Sequence, residues 1–363
     1  MNTATRVFKN SLYLFLGYFI GGAILFILNT TIARYLGASL YGDYSFIFAF
    51  ISFFTIIANF GIDVIVVKEL VAKKIDAKKM LSTSLILRTI LSIVAIILSI
   101  IIILVLPTGE IVRRGVILIS LSLLFSSLTL SCISFFQARL EMIFFFLIET
   151  ISKILYAGII FVVFWQKLGY LALIVCYVLM TFLQFLLSYL FVKRKINIKW
   201  KLDKETAKYI IKESWPLAIM LLLASIYYRI DTIMLSFMKT SREVGYYAAA
   251  YNFAGVFTII ATAIGESLFP LLSETWKKAK KRFSQTASFG VKYLTIIALP
   301  IATSLTLLGK ESINFLYGEA YLPSVTAFQI LLWGTFLIFI TAIFESIVIA
   351  TGKQKFTTLV AIV

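Results

Sequence analysis

Two runs of residues decide the fold of this chain: Gly42-Asp43-Tyr44-Ser45-Phe46 and Phe54-Thr55-Ile56-Ile57-Ala58. They return 203 residues later, as Gly245-Tyr246-Tyr247 and Phe257-Thr258-Ile259-Ile260-Ala261. At this fixed offset, eight of the 17 positions from Gly42 to Ala58 are identical. Two unrelated apolar helices, which use few residue types, would match at roughly two such positions. The pattern therefore indicates an internal duplication.

The composition places both copies of the repeat in a membrane. The 363 residues are 61% hydrophobic, with a mean hydropathy of +0.99. Apolar runs of about 20 residues, each sufficient to cross a ~30 Å hydrocarbon core, recur along the whole sequence. They predict an all-α polytopic membrane protein with ten spans, at 11–33, 41–66, 83–106, 115–137, 143–165, 169–192, 214–237, 246–272, 287–308 and 325–351. An eleventh span begins near Phe356, and we expect at least two more to be missing from the second copy.

The net charge of +17 is explained by topology rather than by nucleic acid. With the N-terminus in the cytoplasm, the inner segments hold 23 Lys and Arg and the outer segments hold seven. Such an imbalance is typical of cytoplasmic loops and predicts a multi-pass protein of the cell membrane with a cytoplasmic N-terminus. The chain has no His, which excludes imidazole catalysis and His metal ligands, and we expect Cys132 and Cys176 to be unpaired.

The repeat also predicts the domain organisation. Residues 1–195 form an N-terminal lobe of six spans, residues 196–213 a cytoplasmic linker, and residues 214–363 a C-terminal lobe with four complete spans. Because an even number of spans returns the chain to the same side, the two copies are parallel. In the linker, Asp203 is expected to cap an amphipathic helix that lies on the anionic inner leaflet.

Five motifs carry a resemblance to a known family: Ala33-Arg34-Tyr35-Leu36-Gly37, Tyr41-Gly42-Asp43-Tyr44, Phe60-Gly61-Ile62-Asp63, Ile230-Asp231-Thr232-Ile233-Met234 and Val244-Gly245-Tyr246-Tyr247-Ala248-Ala249-Ala250-Tyr251. They resemble the polysaccharide-biosynthesis flippases of the Wzx type, within the multidrug/oligosaccharidyl-lipid/polysaccharide exporter superfamily. It implies two six-helix lobes around a central cavity. It also implies alternating-access transport of polyprenyl-diphosphate-linked oligosaccharides, with membrane lipids and a polysaccharide polymerase or other glycan-assembly proteins as partners.

Two other functions stay open on the sequence. A cation-coupled antiporter of the same superfamily would depend on carboxylates more than on bases. A membrane glycosyltransferase or polymerase requires a large outer loop with acids, whereas the longest outer stretch, 309–324, carries Glu311 and Glu319. The chain also lacks the GxxxxGK[ST] phosphate loop, so we predict no nucleotide hydrolysis, no cofactor and no enzymatic activity.

Charged residues inside the spans are the candidates for substrate binding. Arg229 and Asp231 lie deep in span seven beside Tyr227 and Tyr228, a set that suits a hydrated cavity for a phosphate and a sugar. Residues two apart point away from each other on a helix, so Arg229 and Asp231 are not expected to pair. An ordinary interhelical ion pair, or a charge at the outer interface, is an equally good interpretation.

Glu149 and Lys153 stand four residues apart on span five, in the favourable acid-first order. They form either an intrahelical pair that makes both charges tolerable or a cavity site in which Lys153 meets a diphosphate. The first interpretation has a slight advantage, because the pair satisfies itself.

Asp63 and Glu266 are equivalent carboxylates of the two repeats and are candidates for ion or proton coupling. The alternative is that Asp63 lies close to the headgroups, where a carboxylate costs little. Arg88 is expected to snorkel towards the cytoplasmic surface. Arg34, at the outer end of span one, either snorkels or lines the mouth of the cavity.

Overall fold

The computed structural model describes residues 3–198, 200–278 and 280–351. The regular elements within these ranges are helices. The α-helices are α1 (Thr3–Asn59), α2 (Ile62–Ala72), α3 (Ala77–Val105), α4 (Glu110–Ala138), α5 (Ile143–Trp165), α6 (Tyr170–Lys193), α7 (Lys204–Met238), α8 (Ser241–Lys278), α9 (Lys280–Leu307), α10 (Gly309–Tyr317) and α11 (Ser324–Ala350). A short 3-10 turn, Glu319–Tyr321, lies between the last two helices.

Eight helical stretches of the described chain are long and apolar enough to cross a membrane. The first, Lys9–Ala72, is 64 residues long, which at ~1.5 Å per residue is enough for two of the predicted spans. The chain is therefore a multi-pass, all-α membrane protein, as its hydropathy predicts. The eleventh run, which begins near Phe356, lies outside the described residues.

The turn between the first two predicted spans is a single residue. Gly37 has φ 70° and ψ 167°, which are not helical angles, and it divides α1 into the segments 3–36 and 38–59. A left-handed φ is inexpensive for Gly and costly for residues with a side chain. A second break separates α1 from α2, where Phe60 and Gly61 have φ values of 50° and 68°.

The chain divides into two compact units, Met1–Val244 and Gly245–Val363. The first unit contains α1 to α7 and the first turn of α8. This boundary differs from the sequence-based lobe boundary near residue 213, because α7 packs against α1, α2 and α3. The lobe boundaries at 195 and 213 describe the repeats and remain a prediction.

The loops of the first unit gather at two ends, as alternating spans require. Tyr35 donates a 2.7 Å hydrogen bond to the carbonyl of Leu168, so the α1 kink and the α5–α6 loop lie together at one end. The other end contains the loops predicted to be cytoplasmic and is joined by the ion pairs Lys68–Glu213, Lys79–Asp203 and Lys195–Glu141. The excess of positive charge in these loops, rather than the fold, predicts which end is cytoplasmic.

The sequence predicts the start of the linker helix correctly, but it predicts the wrong environment for the apolar face of that helix. Asp203 caps α7 as expected: its carboxylate accepts the backbone N–H of Thr206 at 2.8 Å, and this hydrogen bond lowers the pKa of Asp203 to about 2. However, the amphipathic segment continues without a break through Pro216 into span seven. Its apolar face, formed by Ala207 and Ile210, packs on α2 and α3 rather than on the lipid leaflet.

This packing can be tested with two neighbouring residues of α7. Ile210 is fully buried among Ile62, Val66 and Met80, whereas Ile211 is exposed. We expect Ile210→Val to lower the free energy of unfolding by roughly 0.5–1.5 kcal/mol, since it removes one buried methylene from a packed core. The matched control, Ile211→Val, should leave stability unchanged. Equal effects in a denaturant titration of the full chain would contradict the packing on α2 and α3.

The second unit has its own core. Ala261 of α8, Leu294 and Ala298 of α9 and Phe339 and Ile343 of α11 form one apolar cluster. Phe253 of α8 stacks on Phe328 of α11 with ring centroids 4.5 Å apart and planes 2° from parallel. The stretch 309–324, which is predicted to lie outside, is not an irregular loop, since α10 and the 3-10 turn occupy most of it.

Candidate functional site

A buried acid–base pair on α5 is the starting point of the candidate site. Glu149 and Lys153 form an ion pair at the i,i+4 spacing, and their side chains are 14% and 10% exposed. The carboxylate also accepts a 3.2 Å hydrogen bond from the amide of Gln184 on α6. The intrahelical pairing expected from the sequence is therefore present, and a third helix-borne group holds the carboxylate in place.

The ammonium group of Lys153 lies against α1. A Cβ atom added to Gly21 would be 2.6 Å from Lys153 Nζ, a distance that real Cβ contacts do not show. Gly21 thus makes room for the end of the lysine side chain, a more specific role than general small-residue packing. Three helices, α1, α5 and α6, fix the position of this charge.

Tyrosine hydroxyls extend the polar region from α5 towards α7. Tyr177 of α6 lies within electrostatic range of both Glu149 and Arg229. Its ring contacts Tyr156 of α5 with a centroid distance of 6.4 Å. Tyr156 is in turn hydrogen-bonded to Tyr44 in the second segment of α1. One polar region therefore includes Glu149 and Lys153 of span five and Arg229 of span seven.

The predicted residues of α7 are more exposed than those of α5. Arg229 is exposed, and Tyr227 and Tyr228 are 81% and 58% exposed, with their rings edge to face. Asp231 is half-buried, and its carboxylate accepts hydrogen bonds from the N–H of Thr232 at 2.6 Å and from the Thr232 hydroxyl at 3.2 Å. Part of the hydrogen-bonding capacity of Asp231 is therefore met on its own helix.

Asp63 belongs to a separate network, and the snorkelling expected of Arg88 is wrong. The Arg88 side chain is completely buried, and its guanidinium donates to Asp63 at 3.3 Å, to Asn59 at 3.1 Å and to the carbonyl of Ser127 at 2.9 Å. These partners turn the side chain inward, where hydrogen bonds replace the water that a snorkelling arginine would reach. Asp63 is therefore one member of an ion pair rather than an isolated headgroup-level carboxylate.

The remaining candidates are Arg34 and Glu266. Arg34 is exposed and lies next to Tyr35, at the end of the unit that is predicted to face outward. The side chain of Glu266 lies outside the described residues, so its predicted coupling role has no geometry to examine. Cys132 and Cys176 are buried and unpaired, as expected.

Sequence reasoning missed Gln184 and Tyr177, and it assigned Gly21 to general helix packing. An amide within an apolar span is expensive unless it finds a partner, so Gln184 carried a usable signal in the sequence. Tyr177 carried no such signal, because tyrosine is common in transmembrane helices. Within the part of the chain that the structure describes, no group of three or more His, Cys, Asp or Glu side chains could hold a metal ion.

The sequence matches two protein-family models and one curated membrane protein. Residues 7–276 match the family model described as polysaccharide biosynthesis protein, and residues 216–363 match the MatE model. An uncharacterized membrane protein of Methanocaldococcus jannaschii is 28% identical over 134 residues, which are 36% of this chain and 26% of that protein. The match thus spans about a quarter of the curated relative.

Solved structures share the fold at low sequence identity. The lipid II flippase MurJ, in an inward closed conformation, has a TM-score of 0.73 at 17% identity, over 95% of this chain and 76% of MurJ. The MATE multidrug transporter DinF-BH, in complex with R6G, has a TM-score of 0.66 at 15% identity, over 99% of this chain and 86% of that chain. A eukaryotic MATE transporter has a TM-score of 0.65 at 11% identity, over 96% and 85%.

Proposed function

The chain belongs to the polysaccharide biosynthesis protein family of the multidrug/oligosaccharidyl-lipid/polysaccharide exporter superfamily, and from this premise we propose that it flips polyprenyl-diphosphate-linked oligosaccharides across the cell membrane. It is a transporter of the flippase type. We propose further that its substrate is a surface-glycan precursor and that transport occurs by alternating access. The families that it matches are transporters and flippases rather than enzymes.

The observation that carries this proposal is the placement of two bases around one set of tyrosines. Lys153 and Arg229 come from different helices, and Tyr177 lies within electrostatic range of Arg229 and of Glu149, the partner of Lys153. Positive groups neutralise a diphosphate through charge-assisted hydrogen bonds. Tyrosine faces and hydroxyls suit sugar rings, which have apolar C–H faces and polar edges.

The proposal assigns different roles to the two bases. Arg229 is exposed and sits beside Tyr227 and Tyr228, so it meets the diphosphate first. Lys153 is buried and paired with Glu149, and it contributes a fixed positive charge behind the binding surface. Asp231 orients polar groups of the glycan, and Arg34 attracts anionic headgroups near the outer end.

The accompanying assignments follow from the same premise. The lobes are residues 1–195 and 214–363 with a linker at 196–213, and the N-terminus is cytoplasmic. The partners are membrane lipids, the lipid-linked oligosaccharide and, in glycan assembly, a polysaccharide polymerase. Asp63 and Glu266 remain the pair proposed for coupling to an ion gradient.

Replacing Arg229 tests the proposed substrate. The full chain is reconstituted in liposomes with a polyprenyl-diphosphate oligosaccharide that carries a fluorescent glycan, and an external glycosidase reports its arrival in the outer leaflet. We expect Arg229→Ala to slow flipping roughly 10- to 100-fold, because one hydrogen-bonded charge contributes about 1.5–3 kcal/mol. Lys239→Ala, an exposed base near the end of the same helix that pairs with Glu243, is the matched control and should flip normally. An unchanged rate in Arg229→Ala would remove the assigned role.

The match to the MatE model favours one alternative function, a cation-coupled antiporter of small organic cations. The same liposomes distinguish the two functions. Gradient-driven efflux of a cationic dye, together with no flipping of the lipid-linked glycan, would replace the flippase proposal with the antiporter.

A further inference from the structure

A second polar site lies in the N-terminal unit, away from the pair on α5. A cavity of about 140 Å³ opens at the end predicted to face outward, where the second segment of α1 meets the α3–α4 loop and the junction of α7 and α8. Its polar wall is formed by Asp43, Thr108, Ser236 and Ser241. Its apolar wall includes Phe46 and Phe237, whose rings meet edge to face at 5.9 Å.

Asp43 is the group in this cavity that needs a partner. Its half-buried carboxylate accepts a hydrogen bond from the Ser241 hydroxyl. A carboxylate taken out of water requires a positive charge or several donors. Among the described residues that line the cavity, Asp43 alone carries an ionisable side chain, so none of them supplies that charge.

Two bases of the surrounding loops, Arg113 and Lys239, have partners outside the cavity. Arg113, one residue beyond the lining residue Val112, donates from its guanidinium to the carbonyl of Leu106 at 3.1 Å. Lys239 forms an ion pair with Glu243 at 3.7 Å. Neither base lines the cavity that contains Asp43, so the carboxylate is not neutralised from the wall of the cavity.

Two hydroxyl groups near Asp43 point to a ligand rather than to a closed hydrogen-bond network. Tyr170 is 7% exposed and lies within electrostatic range of Asp43, and its hydroxyl has no hydrogen-bond partner among the described residues. The hydroxyl of Thr108, a lining residue, is also buried and without a partner in the described part of the chain. Buried polar atoms are normally satisfied, so the Thr108 oxygen, which lines the cavity, marks a position where a further group completes the set.

We propose that this cavity binds a monovalent metal cation such as Na⁺, held by the Asp43 carboxylate and the hydroxyl oxygens of Thr108, Ser236 and Ser241. The donor atoms are all oxygen, which suits a hard cation. A divalent ion usually takes more than one carboxylate, whereas the single charge of Asp43 matches a single positive charge. The volume leaves room for the water molecules that complete the coordination of a small cation.

The bound cation would connect three segments that are distant in sequence. Asp43 follows the Gly37 kink, Thr108 lies between α3 and α4, and Ser241 begins α8. The site therefore stabilises the folded N-terminal unit whenever the cation is present. The proposal does not rest on the flippase function, because its test measures stability rather than transport.

The test is the thermal unfolding of the purified full chain at constant ionic strength, with NaCl substituted stepwise for choline chloride. We expect a saturable rise in the unfolding midpoint of roughly 2–8 °C, the size that ligand binding to a folded domain produces. Asp43→Asn, which keeps the shape and removes the charge, should abolish the Na⁺-dependent rise. Glu110→Gln is the matched control, since Glu110 is an exposed acid near the same end that pairs with Arg114.

A second variant keeps the proposal testable if Asp43→Asn folds poorly. Thr108→Val has nearly the same shape and removes one oxygen, so it should raise the Na⁺ concentration at half-effect several-fold. A Na⁺ response in Asp43→Asn equal to that of the unchanged chain would overturn the proposal. Equal midpoints in Na⁺ and choline for the unchanged chain would overturn it as well.

Discussion

Replacing Asp63 by Ala should lower the free energy of unfolding by roughly 3–5 kcal/mol, because it leaves a completely buried guanidinium without its carboxylate. The hydrogen bonds from Arg88 to Asn59 and to the carbonyl of Ser127 would remain. Neither neutralises the positive charge. An SDS titration of the purified full chain, followed by loss of helical signal, measures the change.

The opposite replacement should be milder. Arg88→Met leaves Asp63 unpaired, but the Asp63 side chain is 38% exposed and can be hydrated, whereas the Arg88 side chain is 0% exposed. The double variant Asp63→Ala/Arg88→Met should be more stable than Asp63→Ala alone, since no buried charge is left uncompensated. Glu110→Ala, which breaks an exposed pair with Arg114, is the control and should cost no more than about 1 kcal/mol. Equal losses in Asp63→Ala and Glu110→Ala would contradict this account of the buried pair.

The double variant also separates stability from coupling. If Asp63 only neutralises Arg88, the double variant should transport normally once it is folded. If Asp63 takes part in coupling, the double variant should fold and yet lose the acceleration that an ion gradient gives. The ion pair with Arg88 makes neutralisation of the guanidinium at least one role of Asp63.

The features that the sequence predicts correctly depend on residues close together in the chain. Apolar length predicts the spans, and the side chain of Asp203 predicts the start of α7. The acid-first spacing of Glu149 and Lys153 predicts their ion pair. In each case the interacting groups lie within one helix turn or one span, so local rules are sufficient.

The errors arise where the partner lies far away in the chain. Local rules predict that Arg88 reaches the surface, because its partners are 25 to 39 residues distant, on α2 and α4 and at the end of α1. Pro216 stands two residues after the predicted start of span seven, where a proline usually begins a helix, yet α7 passes through it. Ala207 and Ile210, which precede Pro216 in the same helix, pack on α2 and α3. No residue close to Pro216 in the sequence predicts this packing.

Glu149 and Lys153 on α5 should behave like Asp63 and Arg88: a single replacement should destabilise the chain more than a double replacement. The effect of the double replacement on transport should be larger for the pair on α5. Glu149→Leu leaves the Lys153 ammonium buried against Gly21 and should destabilise the chain by roughly 3–5 kcal/mol. Glu149→Gln/Lys153→Met removes both charges with little change in volume. This double variant should unfold within about 1 kcal/mol of the unchanged chain, because neutral groups of similar shape replace a buried ion pair at little cost.

Transport by this double variant then decides between the two interpretations of the pair. If Lys153 contributes a fixed positive charge to the diphosphate site, flipping in liposomes should fall 10-fold or more while stability is retained. The matched control is Lys239→Met/Glu243→Gln, which removes an exposed i,i+4 pair and should leave both stability and flipping unchanged. A stable Glu149→Gln/Lys153→Met variant that flips at the normal rate would assign the pair to helix packing alone. Recognition of the diphosphate would then depend on Arg229, the base that lies within electrostatic range of Tyr177.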